Sequence, residues 1–358
     1  MIRVTKTFLP PLEEYHDRLR NVWENGWITN EGPLVVELEE ALRRYLGVRH
    51  VLLVSNGTLA LQLAVRALDV QGEVITTPFS YVATTSSLVW EHCQPVFVDI
   101  DPQTFCLDPG LVEAAITPAT RAIVATHVFG TPCGIEEIEQ IARRYNLRVI
   151  YDAAHSFGVR YQGSSVLQYG DVSTLSFHAT KLFHTGEGGA VVTNDDELAR
   201  RLAYMRNFGH QDAHSFAGLG INAKNSEIHA ALGLCVLSHL PQLINRRHRL
   251  VALYDQLLAP AGLQRPQLPA GTEMVYSYYP ILFQSETQLL RVTQALNSAE
   301  IFPRRYFYPS LTTLPYVLPA YCPVASDVAS RVLCLPLYHD LAETDVARIV
   351  KIVLSSLV

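Results

Sequence analysis

The chain has 358 residues, of which 49% are hydrophobic and 17% are charged, with a formal net charge of −6. This composition argues against disorder, and the length is enough for one large domain and a smaller one. The acidic balance gives no electrostatic footprint for nucleic acid, so small-molecule chemistry is the better expectation.

The beginning of the chain, MIRVTKTFLPPLEEYHDRL, has no basic head followed by an apolar core. It is therefore not expected to act as a secretion signal, and no apolar run approaches the length of a membrane span. We expect a cytoplasmic protein that is not inserted in a membrane. The six cysteines lack CxxC or paired spacing, which predicts reduced, mostly buried thiols and neither a disulfide framework nor a metal site.

Short apolar runs alternate with helix-length periodic stretches in the first two thirds of the chain. This alternation predicts a mostly parallel sheet with helices on both faces. Gly189–Thr193 follows the preceding run too closely for a crossover helix, so that pair is expected to be antiparallel. The predicted strands before it are His50–Val54, Glu73–Thr77, Val96–Asp99, Ala122–Thr126, Arg148–Tyr151 and Val172–Phe177.

The pattern changes near Pro241, which predicts a large domain over residues 1–240 and a smaller one over 241–358. A predicted helix after this point carries Arg246, Arg247 and Arg249. We interpret these arginines as a solvated helix face, with a phosphate site as the alternative.

Ligands bind beyond the carboxyl ends of the strands in this kind of sheet. Gly57 and Thr58 follow the first predicted strand at a helix start, where free N–H groups, a hydroxyl and the helix dipole suit a phosphate. Thr58 as a simple helix cap is the alternative. Tyr81 follows the next strand and offers a ring for stacking, although a core or surface tyrosine is the commoner explanation.

Asp152 follows a third strand, either as a functional carboxylate or as a helix cap. Lys181 follows a fourth, in SFHATKLFHTGEGGA, with Ser176 and His178 before it. An amine, a carboxylate, an aromatic ring and a phosphate site at one sheet edge match pyridoxal 5′-phosphate, which needs a lysine for its Schiff base and a carboxylate at its pyridine nitrogen. A surface lysine is the alternative.

Seven segments then resemble the DegT/DnrJ/EryC1/StrS family of sugar-nucleotide aminotransferases. They are NGTLAL, GEVITTPFSYVAT, PVFVDID, YDAAHSFG, SFHATK, GEGGA and GINAKNSEIHAALG. The resemblance implies the fold type I of pyridoxal-phosphate transferases, similar to aspartate aminotransferase, with a large mostly parallel-sheet domain and a smaller C-terminal α+β domain. It also implies a homodimer with shared active sites.

The resemblance assigns roles to individual residues. Lys181 and Asp152 would be catalytic, Tyr81 would stack on the cofactor ring, and His155 would lie beside that ring where the family often has glutamine. The residues implied at the cofactor phosphate are Gly57, Thr58 and Ser176, with Asn222 from the partner subunit. The candidates for the sugar nucleotide are Trp27, Asn30, Lys224, Arg305, Tyr306 and Tyr308.

The implied reaction moves an amino group from L-glutamate to a 4-keto sugar nucleotide. AKNSE and WITNEGP look most like the branch that makes dTDP-4-amino-4,6-dideoxyglucose for polysaccharide, O-antigen or antibiotic sugars. The alternatives are a 3-aminotransferase and, from a different class, a cofactor-binding sensor without turnover. A dehydratase branch carries histidine in place of the lysine, and Lys181 argues against it.

Overall fold

The computed structural model describes residues 1–357. Its strands are β1 (Ile2–Arg3), β2 (His50–Val54), β3 (Glu73–Thr76), β4 (Gln94–Phe97), β5 (Thr120–Thr126), β6 (Arg148–Asp152), β7 (Arg160–Tyr161), β8 (Ser164–Ser165), β9 (Val172–Ser176), β10 (Gly189–Thr193), β11 (Thr272–Glu273), β12 (Tyr279–Leu282), β13 (Ile301–Phe302) and β14 (Val332–Leu335). Its α-helices are α1 (Leu12–Asn25), α2 (Pro33–Leu46), α3 (Gly57–Ala67), α4 (Val82–Trp90), α5 (Ile135–Tyr145), α6 (Asp196–Met205), α7 (Glu227–Leu258), α8 (Glu286–Ser298), α9 (Pro323–Arg331) and α10 (Glu343–Ser355).

A seven-stranded sheet with the order β2-β10-β9-β6-β5-β3-β4 forms the centre of the fold. Strand β10 runs antiparallel to both of its neighbours, whereas the other adjacent pairs are parallel. Strands β2 and β10, for example, are mostly apolar and buried, as expected for a sheet covered on both faces. The predicted mostly parallel sheet and its antiparallel exception at Gly189–Thr193 are therefore confirmed.

Strand β4 begins two residues earlier than the sequence indicated. Gln94 and Pro95 pair with Glu73 and Val74, and β4 is the last strand of the sheet. Proline has no N–H to donate, but an edge strand can leave that position unpaired.

A second apolar core lies in the C-terminal part of the chain. There β12 and β14 form an antiparallel pair, and α8 and α10 contribute their buried faces. The first residues of the chain also belong to this core, because β1 pairs in parallel with β13 and Ile2 is buried. The division of the chain at residue 240 stays a prediction, and α7 runs through Pro241 without ending there.

Helix α7 links the two cores. By length and composition alone, Glu227–Ala261 matches a membrane span, which the sequence analysis did not anticipate, but half of its most apolar stretch is buried in the protein. It packs against α1, α2 and α10, as the core helix of a globular protein does. The interpretation of its arginines as a solvated face is wrong for Arg247, which is buried, whereas Arg246 pairs with Glu343 at the surface.

All six cysteines are free and buried, as predicted. One of them, Cys133, donates its backbone N–H to Nδ1 of His127 at 3.0 Å. His127 is fully buried and stacks on Tyr151 with 4.5 Å between ring centroids. This burial lowers the pKa of His127 to about 3. The folded protein therefore holds a neutral imidazole across most of the acidic range.

The stability that neutral His127 provides should depend on pH in a defined window. An unfolded histidine is protonated below about pH 6.5, whereas the folded His127 resists protonation down to pH about 3. The contribution is complete above the unfolded pKa and is lost as the pH falls through this window, by at most roughly 1.4 kcal/mol per pH unit. His127→Asn keeps an acceptor for Cys133 but does not titrate. In urea titrations from pH 6.5 to 4, its unfolding free energy should fall less steeply than that of the unaltered protein, and equal slopes would contradict the assignment.

Candidate active site

The carboxyl ends of the central strands border one cavity. Seven of the eight residues proposed for the cofactor lie on its walls, and the C-terminal part of the chain closes it. The lining comprises Asn56, Gly57, Thr58, Leu61, Ser80, Tyr81, Ala83, Thr126, Asp152, Ala154, His155, Thr174, Leu175, Ser176, His178, Thr180, Lys181, Glu187, Gly188, Arg304, Tyr306 and Phe307.

One end of the cavity is the first turn of α3. Asn56 caps this helix, its side chain accepting from the N–H of Leu59 at 2.8 Å and its carbonyl from Ala60 at 3.1 Å. Thr58 is therefore not the cap. The N–H groups of Gly57 and Thr58 precede the first helical hydrogen bond, at the positive end of the helix dipole. With the exposed Thr58 and the neighbouring Ser176, they form a cradle suited to a phosphate.

Glycines bring the backbone segments around this cradle close together. A Cβ on Gly57 would lie 3.0 Å from Cβ of Ser176, and one on Gly189 would lie 2.6 Å from the carbonyl carbon of Asn56. The sequence predicted close backbone approach at the glycines after Lys181. The structure shows that Gly189 approaches the Asn56–Gly57 turn, while Gly188 lines the cavity.

Asp152 ends β6 as a buried carboxylate. Its Oδ2 accepts from the Thr84 hydroxyl at 2.7 Å and its Oδ1 from the Ala154 N–H at 3.1 Å. Thr84 in turn contacts Ser80, whose hydroxyl reaches Thr126 at 3.0 Å. Burial raises the pKa of Asp152, and the bonds from Thr84 and Ala154 and the charge of Lys181 oppose that rise. Asp152 caps no α-helix.

The sequence interpretation did not identify Thr84. Thr84 lies in the first turn of α4, and Tyr81 directly precedes that helix. Both residues therefore follow β3 at the same edge of the sheet. That spacing was the available signal, but threonines at helix starts are common and only the fold shows that this one meets Asp152.

Lys181 lies in the loop after β9, within the cavity. Burial and, to a smaller extent, the charge of Arg304 lower the pKa of Lys181 to about 8, although Asp152 acts in the opposite direction. The surface-lysine alternative is therefore wrong. An amine with this pKa exchanges protons readily near neutral pH.

His155 is held by aromatic rings on several sides. Its ring is nearly parallel to Phe307 at 5.5 Å and to Phe129 at 6.3 Å, and Tyr278 lies 4.7 Å away. Burial and the charge of Lys181 keep the pKa of His155 well below its ordinary value. Nδ1 is buried and has no hydrogen-bond partner among residues 1–357.

Asn222 does not line the cavity of its own chain. It is exposed and accepts a hydrogen bond from Nζ of Lys224 at 2.7 Å, and Lys224 lies 4.3 Å from the centroid of the Phe208 ring. Trp27 and Asn30 are also exposed and outside the cavity. The segment near Asn222 has several exposed apolar side chains, namely Phe208, Phe216, Leu219 and Ile221.

In the RRYFYPS stretch, the two adjacent arginines have different surroundings. Arg304 lines the cavity with Tyr306 and stacks on that ring at 4.3 Å. Arg305, which the sequence analysis selected instead, stacks on Tyr308 at 3.4 Å and pairs with Glu286, outside the cavity. Arg304 was missed because two adjacent arginines look equivalent in the sequence, and only the position of the cavity distinguishes them.

The cavity suits pyridoxal phosphate on the chemistry of its own groups. The cradle at α3 offers N–H donors to an anion, and the buried Asp152 accepts from a cationic ring nitrogen. The buried Nδ1 of His155 has no hydrogen-bond partner in the described part of the chain, so it is available to a bound group. Among residues 1–357, no group of three or more His, Cys, Asp or Glu side chains could hold a metal ion.

Comparison with known proteins places the chain in a family. Residues 12–354 match the DegT/DnrJ/EryC1/StrS aminotransferase family. Two relatives are named dTDP-4-amino-4,6-dideoxy-D-glucose transaminase. One, from Shigella dysenteriae, is 45% identical over 95% of both chains, and one from Escherichia coli is 41% identical over 99% of both.

Among solved structures, that of DesI in the presence of its TDP-sugar product superposes with a TM-score of 0.94 at 35% identity. The match covers 99% of this chain and 93% of the other. The chain therefore belongs to the DegT/DnrJ/EryC1/StrS aminotransferase family, has the fold type I of pyridoxal-phosphate enzymes, and is a sugar-nucleotide aminotransferase with that cofactor.

The hydrogen bond from Thr84 to Asp152 gives a prediction about cofactor affinity. Thr84→Val removes a hydrogen-bond donor to the buried Asp152, so the ionised form of this carboxyl group is less favoured. Because the ionised form is the one that should bind the ring nitrogen, we expect the affinity for pyridoxal phosphate to fall at least roughly tenfold. Thr85→Val is the matched control, because the Thr85 hydroxyl is buried with no partner among residues 1–357. Cofactor titration followed by absorbance measures both. Equal affinities of the two variants would show that the Thr84 bond is unimportant for binding.

Proposed function

We propose that the chain transfers the amino group of L-glutamate to dTDP-4-dehydro-6-deoxy-D-glucose and so makes dTDP-4-amino-4,6-dideoxy-D-glucose. The two relatives that carry this transaminase name match nearly the whole chain, and they support the choice of sugar. The single observation that carries the chemistry is the meeting of Lys181, Asp152 and the α3 cradle in one cavity.

The chain's own residues would hold the cofactor at three points. Gly57, Thr58 and Ser176 would bind the phosphate, Asp152 would bind the ring nitrogen, and Lys181 would form the covalent attachment. Tyr81, about half exposed at the start of α4, would cover the ring. When bound, pyridoxal phosphate supplies an electron sink for the bonds to the substrate carbon.

Lys181 is the proposed acid and base. Because burial holds its pKa to about 8, its Nζ can take a proton from the donor carbon and return one to the acceptor carbon without a large energetic mismatch. Asp152 would keep the opposite end of the ring protonated. Its bonds from Thr84 and Ala154 favour the anion, and a cationic N–H brought against it would favour the anion further.

Arg304 is the proposed partner for anionic substrate groups. Its guanidinium lines the cavity, stacks on Tyr306 and has no carboxylate partner among residues 1–357. Glutamate and a nucleotide diphosphate both carry oxygen anions that a guanidinium binds in a bidentate manner. We therefore give Arg304 the role that the sequence analysis gave Arg305, with Tyr306 beside it.

The active enzyme is proposed to be a homodimer with shared sites. Asn222 lies outside the cavity of its own chain, and exposed apolar side chains surround it. A twofold dimer could bury this surface and place Asn222 and Lys224 of one subunit at the cofactor phosphate and substrate of the other. Trp27, Asn30 and Tyr308 would reach the sugar nucleotide from the same interface.

We place the reaction in the cytoplasm, within the biosynthesis of an amino sugar for lipopolysaccharide O-antigen or an antibiotic. A decisive test supplies glutamate and a panel of 3-keto and 4-keto sugar nucleotides, with mass spectrometry and NMR of each product. An amine at C4 of the dTDP-glucose derivative is expected. An amine only at C3 would establish the 3-aminotransferase instead, and cofactor binding without any product would establish the sensor.

Shared sites predict complementation between two inactive variants. Lys181→Ala lacks the covalent attachment and Asn222→Ala lacks the contact from the partner, so each homodimer should lose most activity. A mixed dimer has one doubly damaged site and one intact site. Random pairing of equal amounts gives about half mixed dimers, hence roughly a quarter of all sites intact.

The control is each variant unfolded and refolded alone in the same cofactor concentration. Activity per site is compared with that of the mixture, and mixed dimers are verified by native mass spectrometry. If verified mixed dimers show no gain in activity, Asn222 serves its own chain and the shared-site proposal fails.

A further inference from the structure

Arg247, in the second half of α7, is a buried cation without an acidic partner. Its side chain is only 4% exposed, and among residues 1–357 no carboxylate pairs with it. Nη1 donates to the carbonyl of Tyr276 at 3.1 Å and to that of Ser277 at 3.0 Å, while Nε has no partner. Burial lowers the pKa of Arg247 to about 10, so it remains charged at neutral pH.

The two carbonyls belong to an unusual turn. Tyr276 has a φ of 53°, in the left-handed region that bulky side chains rarely adopt. Local strain of this kind persists only where the surroundings hold it. Arg247 holds the carbonyl of the strained residue itself, and His248, the next residue in α7, packs its ring edge-on against Tyr276 at 5.0 Å.

The residues after the strained turn contact the wall of the cavity. The Ser277 hydroxyl donates to the carbonyl of His155 at 2.7 Å, and the ring of Tyr278 lies 4.7 Å from that of His155. Tyr278 also packs edge-on against Tyr306 at 5.3 Å. Both His155 and Tyr306 line the cavity. A continuous set of contacts therefore leads from the Arg247 guanidinium to two residues of the active site.

We infer that Arg247 is a positioning residue for this site: by holding residues 276–278 it fixes His155 beside the place of the cofactor ring. Arg247 touches neither cofactor nor substrate. A methionine of similar volume would fill the space but would leave two partly buried carbonyls without this donor and the left-handed turn without its support. The expected effect on turnover rests on the proposed function, whereas the expected effect on cofactor affinity does not.

The test compares Arg247→Met with Arg247→Lys and with Arg246→Met, an exposed neighbour that pairs with Glu343. For Arg247→Met we expect at least a fivefold loss of affinity for pyridoxal phosphate and a shifted midpoint in the pH titration of the bound cofactor's absorbance. We also expect kcat to fall while KM for glutamate changes less than twofold. The lysine, whose single ammonium reaches fewer acceptors, should rescue these properties in part. Arg246→Met should leave all of them unchanged.

Ser277→Ala tests the same connection without disturbing α7. It removes the hydroxyl that donates to His155, so affinity and titration midpoint should move in the same direction, even if Arg247→Met does not fold. Unaltered affinity and midpoint in Ser277→Ala, or in a folded Arg247→Met, would overturn the inference. An unaltered protein that binds cofactor but aminates no keto sugar would instead refute the proposed function, and the affinity comparison would still decide the role of Arg247.

Discussion

The site depends on a close approach of main chains at the carboxyl edge of the central sheet. Strand β10 enters between β2 and β9, and there is no room for a side chain where Gly189 meets the turn at Asn56. Gly57 meets Ser176 in the same manner. Because these contacts fix the start of α3 against the end of β9, the anion cradle and the loop that carries Lys181 have a defined separation.

Burial brings the pKa values of the two central ionisable groups closer together. It raises the pKa of the Asp152 carboxyl and lowers that of the Lys181 amine, and the attraction between them opposes both shifts. The fold thus keeps a carboxylate and an amine in a poorly solvated place where neither charge is strongly favoured by water. Thr84 and Ala154 then favour the carboxylate through directed hydrogen bonds, whereas the amine keeps a pKa that allows proton exchange.

The sequence predicts most of the central sheet because short apolar runs alternate with helix-length periodic stretches and because residues after parallel strands share one edge. That reasoning brought Lys181, Asp152 and Thr58 together. It could not separate Arg304 from Arg305, since only the position of the cavity distinguishes these two adjacent side chains. Arg247 was misassigned for a similar reason: a charged residue on a helix is normally solvated, and only tertiary packing shows that this one is enclosed.

The pairing of β1 with β13 has a consequence for how the protein acquires its structure. Ile2 lies beside Ile301, so β1 leaves the ribosome long before the strand with which it pairs. Strand β1 has no strand to join until β13 is made, whereas all seven strands of the central sheet precede β11 in the sequence. Docking of β1 therefore belongs to a late stage of folding, when the C-terminal core forms around it.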